Sequence, residues 1–188
     1  IGGKNLRRVS KTKSLGILID ENLNWNDQID NISKKASKGI GILRRAKKYI
    51  SQQSLLTIYQ SLVQPYFDYC SLVWGNCNQT CKDKLQKLHN RAARVITGDT
   101  YDVRSSEILL KLRWETLDKR REEQMIDMVN KALNHMCPPA ITSMFHIANN
   151  ENYDLRSNSK MLMLSKPKTN AMKRSFSYFA AKVWNNRT

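Results

Sequence analysis

Apolar residues recur at helical spacing along most of this chain. On a wheel of about 3.6 residues per turn with Ile29 at the origin, Ile32, Ala36, Ile40, Leu43 and Ile50 fall on one side, and Lys34, Lys38, Arg45 and Lys48 cluster on the other. The pattern predicts a first helix from the Asn24-Trp25-Asn26 capping context to about Tyr49, with one side for a core and one for a polyanion. Gly41 projects into the basic stripe. Because glycine weakens a helix, its place there points to something bulky approaching the backbone, and a nucleic-acid phosphate chain fits.

The flanking patterns predict a mainly α fold. Residues 5–9 and 14–19 are short Leu, Val and Ile runs between Gly and Lys, expected as two small strands or a hairpin. Ser51 is placed to cap a second helix. From Ser51 to Cys81 the only charged side chain is Asp68, so Leu55, Leu56, Ile58, Tyr59, Leu62, Val63, Tyr66, Phe67, Leu72, Val73 and Trp74 are expected in the core. Pro65 is expected to kink or split that segment and Gly75 to end it. A third helix, about Asn78 to Thr97, sets Leu85, Leu88, Ala92, Val95 and Ile96 on one side and Lys87, Arg91 and Arg94 on an adjacent one, with Gly98 stopping it. A short helix near 105–112, a long one from about Trp114 to His135 broken by Pro138-Pro139, a Met161–Leu164 strand and a final helix with Phe176, Phe179, Ala180, Val183 and Trp184 complete the reading. The resulting fold class is a helical, thumb-like bundle with a short N-terminal β-hairpin and a small C-terminal α/irregular segment. Expected boundaries are 1–24, 25–100, 101–148 and 149–188.

Charge sharpens the picture through its location. The net charge is +16, which draws nucleic acid or anionic membrane without determining a fold. It is distributed as +8 over residues 1–50, +2 over 51–100, 0 over 101–150 and +6 over 151–188. Basic ends and a balanced middle are expected if the ends touch a ligand and the middle packs. Cys70, Cys77, Cys81 and Cys137 are too few and too irregular for a disulfide framework. No signal-like segment opens the chain, and no apolar run approaches the roughly 18 residues a spanning helix requires. An intracellular, reducing home is expected, and the abrupt Ile1-Gly2-Gly3 start reads as a piece of something longer.

The ordered series Lys13-Ser14-Leu15-Gly16-Ile17-Leu18-Ile19-Asp20, Leu23-Asn24-Trp25, Ile29, Ile32, Leu55-x3-Tyr59-x-Ser61-Leu62-Val63-x-Pro65, Tyr69-Cys70, Trp74-Gly75 and Leu85-Gln86-x-Leu88-x2-Arg91-x-Ala93-Arg94-x-Ile96-x-Gly98 resembles the reverse transcriptases of non-LTR (LINE-type) retrotransposons, jockey-like branch. Tyr153-x-Leu155-Arg156, Arg174-Ser175-Phe176-x-Tyr178 and Trp184-Asn185 are similar to the segment that follows the thumb. The resemblance implies the end of a palm, a thumb and a C-terminal segment of an RNA-directed DNA polymerase. It places the polymerase's magnesium site, an adjacent aspartate pair plus a third aspartate, upstream of the Leu15-Gly16-Ile17 stretch. The chain contains no Asp-Asp pair, so no catalytic residue and no cofactor are expected within it. The missing palm and fingers of the parent enzyme would be its partners, with cytoplasm and nucleus as the parent's compartments.

A clamp that holds any sequence contacts phosphates and sugars rather than base edges. Lys34, Lys38, Arg45 and Lys48, with Lys87, Arg91 and Arg94, are the residues expected to contact a template–primer duplex. A membrane is not expected as a partner. Cys77-x3-Cys81-x7-His89 supplies three quarters of a zinc knuckle, but Arg94 stands where the fourth ligand belongs, and a closed structural site needs four donors. His89, His135 and His146 stand in no triad-like context. Trp25, Trp74, Trp114 and Trp184, with Tyr66 and Tyr69, are read as core anchors. Two other readings of the basic bundle remain at this point: a stand-alone basic nucleic-acid-binding module, and a helical protein-interaction bundle whose charge only keeps it soluble.

Overall fold

The N-terminal strands β1 (Lys11–Ser14) and β2 (Ile17–Asp20) pair antiparallel, with Lys11 opposite Asp20 and Ser14 opposite Ile17. Leu15 and Gly16 are left as a two-residue turn at φ 45° and 84°, as a type I′ hairpin requires. In this computed structural model, which describes residues 8–148 and 161–187, the first strand therefore lies later than the expected 5–9. Leu15-Gly16, expected within a strand, forms the turn instead.

Helix α1 (Asn26–Ala46) follows a loop folded around one carboxylate. The backbone N–H groups of Asn22, Asn24 and Trp25 donate to Asp20 at 3.1, 3.1 and 2.9 Å. Burial pushes the Asp20 carboxyl up, but these hydrogen bonds outweigh it and hold the group below its usual range. Trp25 precedes the helix at φ 66° with no side-chain cap, so the grip of Asp20 on the loop stands in for the cap expected from the Asn24-Trp25-Asn26 context. The helix stops at Ala46, before the expected Tyr49.

Two separately packed units follow from the contacts: Ile1–Cys70 with Cys77–Ile108, and Ser71–Asn76 with Leu109–Thr188. In the first, α1 packs on β2, α2 (Gln52–Leu62), α3 (Gln64–Asp68) and α5 (Gln79–Thr97). Ile29, Ile40, Leu43, Leu55, Tyr59, Val63, Phe67 and Leu85 are fully buried, each contributing about 1.5–3 kcal/mol of hydrophobic stabilisation. Gly39 sets the spacing, because a methyl there would meet Val63 Cγ2 at 2.7 Å and the Leu62 carbonyl oxygen at 3.2 Å. A cap forms at Ser51, where one is expected, and another at Asn78, expected only as the start of the helix. Ser51 Oγ accepts from the Ser54 N–H at 3.2 Å, Asn78 Oδ1 accepts from the Cys81 N–H at 2.9 Å, and Gly98 ends α5 at φ 84°.

In the second unit, α4 (Ser71–Trp74), α8 (Pro139–Thr142) and α10 (Phe176–Arg187) pack on α7 (Leu117–Leu133). The short α9 (Asn170–Lys173) packs on α10. Met125, Val129, Ala132, Phe145, Leu162, Ala180 and Ala181 make the core, with Trp184 against it. The unit boundary falls within α6 (Ser105–Lys111). The expected Met161–Leu164 strand is reduced to one bridge, Ile147 with Leu162. The Asn185 side chain holds both backbone groups of Leu162, at 2.8 and 2.9 Å. Tyr153, Leu155 and Arg156 lie outside the described residues. Among the described residues no helix is long and apolar enough to cross a membrane.

Leu62, Tyr66, Tyr69 and Val73 are exposed rather than buried. The chain breaks at Val63 and again at Tyr69-Cys70, where Cys70 takes φ 52°. The break at Val63 restarts the helical phase, so the apolar residues of α2 and α3 cannot all face one way.

Candidate nucleic-acid interface

Helices α1 and α5 lie side by side and run in the same direction. At their N-terminal ends Cys81 Sγ donates to Asn26 Oδ1 at 3.2 Å, and Lys84 Nζ lies 2.6 Å from Asp30 Oδ1. At their C-terminal ends a methyl at Gly98 would come within 3.3 Å of Lys47 Nζ. Between them runs a groove of about 980 Å³, with Asp30, Ser33, Lys34, Ser37 and Lys38 on one bank and Thr80, Asp83, Lys84, Lys87, Leu88 and Arg91 on the other.

Two predicted stripes thus meet. Lys34 and Lys38 are one helical turn apart on α1, and Lys87 and Arg91 one turn apart on α5, a rise of roughly 6 Å in each case. All four are exposed. Among the described residues none of them is in an ion pair, whereas Lys84 is held by Asp30. Ser33 is 6% exposed and its hydroxyl has no hydrogen-bond partner among the described residues.

The remaining predicted residues sit elsewhere. Arg45 is exposed on α1 beyond the groove lining, and Lys48 lies in the turn that follows the helix. Arg94 is half-buried. Its Nη2 donates to the Val103 carbonyl at 3.1 Å and to Ser105 Oγ at 3.0 Å, and its guanidinium lies 5.4 Å from the Tyr101 ring centre. Sequence reasoning missed Lys84, whose signal was its spacing of three residues before Lys87. It also missed Ser33, Ser37 and Thr80, which carry no sequence signal apart from their position beside the stripes.

The cysteine and histidine pattern is spent on packing. His89 Nδ1 lies 2.8 Å from the Tyr59 hydroxyl, and its ring meets Phe67 edge-on with centroids 6.1 Å apart. Burial, helped by the Asp30 carboxylate, pushes the Cys81 thiol up, so it stays protonated and donates to Asn26. Among the described residues no three His, Cys, Asp or Glu side chains converge.

Two relatives are similar to this chain. The "Probable RNA-directed DNA polymerase from transposon X-element" of Drosophila melanogaster is 28% identical over 141 residues, covering 68% of this chain and 15% of the relative. The "Probable RNA-directed DNA polymerase from transposon BS" of the same organism is 26% identical over 121 residues, covering 63% of this chain and 13% of the relative. The chain thus spans a small part of the length of these relatives. No family model matches it, and no solved structure does. The two similarities relate the chain to RNA-directed DNA polymerases from transposons.

Proposed function

We propose that this chain is the holding part of a non-LTR, jockey-like reverse transcriptase: a palm-edge hairpin and a thumb whose α1–α5 groove grips the template–primer duplex through its phosphates. The observation that carries the reading is the set of four unpaired cations, Lys34 and Lys38 facing Lys87 and Arg91 across one groove. An RNA–DNA hybrid in A-like form offers a wide, shallow minor groove flanked by phosphates, which suits two parallel helices docking by shape. With no adjacent aspartate pair and no convergent acidic cluster among the described residues, the donors do not fit a two-magnesium site. Polymer joining is therefore assigned to the rest of the parent enzyme. Arg45 and Lys48 extend the basic track past the groove.

A salt titration with an RNA–DNA hybrid tests the reading. About four phosphate contacts give a fall of log K with log salt of slope about −4. The double variant Lys34→Glu with Lys38→Glu should lose two contacts, lower the slope by about 2 and weaken binding at least tenfold at low salt, with an unchanged circular dichroism spectrum. Equal affinity in the variant would remove α1 from the interface. A wild-type chain that binds no hybrid at low salt would favour the protein-interaction bundle, for which the exposed Leu62, Tyr66 and Tyr69 offer a surface.

A further inference from the structure

Tyr49 and Tyr101 are the most exposed aromatic side chains among the described residues, at 85% and 80%. Neither is explained by packing, since a tyrosine usually gains by burying its ring. They share a place in the fold. Tyr49 follows Lys47 by two residues and Tyr101 follows Gly98 by three, and Lys47 and Gly98 are neighbours at the C-terminal ends of the parallel helices. The groove cations lead toward that end, because Arg94 continues the α5 stripe one step past Arg91. There Arg94 leaves the phosphate track, ties down the loop through Val103 and Ser105, and backs the Tyr101 ring at 5.4 Å.

The loop is a poor phosphate site in its own right, because Asp99 and Asp102 flank Tyr101. What it offers is a ring fixed from behind by a cation. Such a ring stacks on a nucleobase of any identity. A paired base hides its faces inside the duplex, so only an unpaired base can use it. We infer that Tyr101, backed by Arg94 and accompanied by Tyr49, closes the α1–α5 groove with a stacking platform for an unpaired base, so that the chain prefers a duplex bearing a single-stranded extension. The inference rests on the groove reading above.

The 188-residue chain should be titrated with three labelled RNA–DNA hybrids: blunt, extended by a short unpaired DNA tail, and extended by an abasic tail carrying the same phosphates. The base-bearing tail should bind on the order of tenfold tighter than the abasic one. Tyr101→Ala should abolish most of that difference and leave blunt-hybrid affinity and salt slope unchanged, while Tyr101→Phe, which keeps the stacking face, should retain it. Equal affinity for the two tails would overturn the platform and leave the groove standing. A loss in Tyr101→Ala that falls on blunt and tailed hybrids alike would also overturn it. No binding to any of the three would sink the groove reading and the platform with it.

Discussion

The two long sides of α1 are built to opposite specifications. On the side facing its own chain, Ile29, Ile32, Ala36, Ile40 and Leu43 are buried, and Gly39 is bare because Val63 occupies the space a methyl would take. On the groove side, nothing lies within 4 Å of a methyl placed at Gly41, and the ammonium groups of Lys34 and Lys38 stand open. Asp30 is one turn before Lys34 on the same helix, yet its carboxylate goes to Lys84 on the opposite bank. Helix α7 treats charge differently, pairing Lys131 with Asp127 at 2.7 Å on its surface and the buried Arg121 with Asp118 at 3.0 Å, each within the helix itself. Cations needed for helix stability and solubility can be matched locally. On α1 and α5, Lys34, Lys38, Lys87 and Arg91 have no such pair among the described residues, while Lys84 reaches across to Asp30.

The largest effect that can break this contrast lies at the packed side. Val63 is fully buried against Gly39 while Leu62, its chain neighbour, is 44% exposed. Val63→Asp should bury a carboxylate with no cation to meet it, costing several kcal/mol and abolishing the cooperative melt followed by circular dichroism. Leu62→Asp should cost less than about 1 kcal/mol. Similar melts for the two variants would mean that α1 and α2 do not meet as described.

The next effect concerns how α1 is aimed. Asp20 Oδ1 and Oδ2 fix the loop from Asn22 to Trp25, and hence the direction in which the helix leaves the hairpin. Asp20→Asn removes a charge-assisted acceptor and should cost about 2 kcal/mol near neutral pH. The pH dependence has a definite sign. The folded-state carboxyl is held below the usual carboxylate range, so its contribution is complete above that range and is lost as pH falls through the lower folded-state value. Thermal melts should therefore show the wild type losing its advantage over Asp20→Asn on acidification below about pH 4. A constant gap down to strongly acidic pH would remove Asp20 from that role.

Much of this architecture was legible because helix periods and caps are local. The apolar stripe of α1, the cap at Ser51, the split of the chain just before Pro65 and the stop at Gly98 need only neighbouring residues. What needed the whole chain was misread or unseen. The stretch from Ser51 to Cys81, with Asp68 as its one charge, suggested burial of its apolar residues, but Ser, Gln, Thr and Asn share its surface with Leu62 and Val73, so lack of charge did not equal burial. Leu15-Gly16 looked like strand because its neighbours are apolar, and only the register of β1 on β2 shows it to be the turn. Each basic stripe was visible separately. Their meeting was not, since it depends on the packing that brings α5 alongside α1 in parallel.

The smallest effect discriminates most finely, because it compares one substitution at two glycines two residues apart. Replacing an exposed helical glycine by alanine should gain about 1 kcal/mol. At Gly41, where nothing is near, Gly41→Ala should realise that gain and raise the melting temperature by about 2–4 °C. At Gly39 the same methyl would meet Val63 Cγ2 and the Leu62 carbonyl oxygen, and overpacking of about 1–3 kcal/mol should offset or exceed the gain, so Gly39→Ala should melt at or below the wild type. Binding gives the comparison its functional edge. If a phosphate chain approaches α1 at its bare position, Gly41→Ala should bind the RNA–DNA hybrid a few-fold more weakly although it is the more stable protein, because the methyl stands where the ligand comes closest. A Gly41→Ala chain that is both more stable and equally tight would leave the lysines as the only contacts on that bank, and the glycine as an uncompensated cost to the helix.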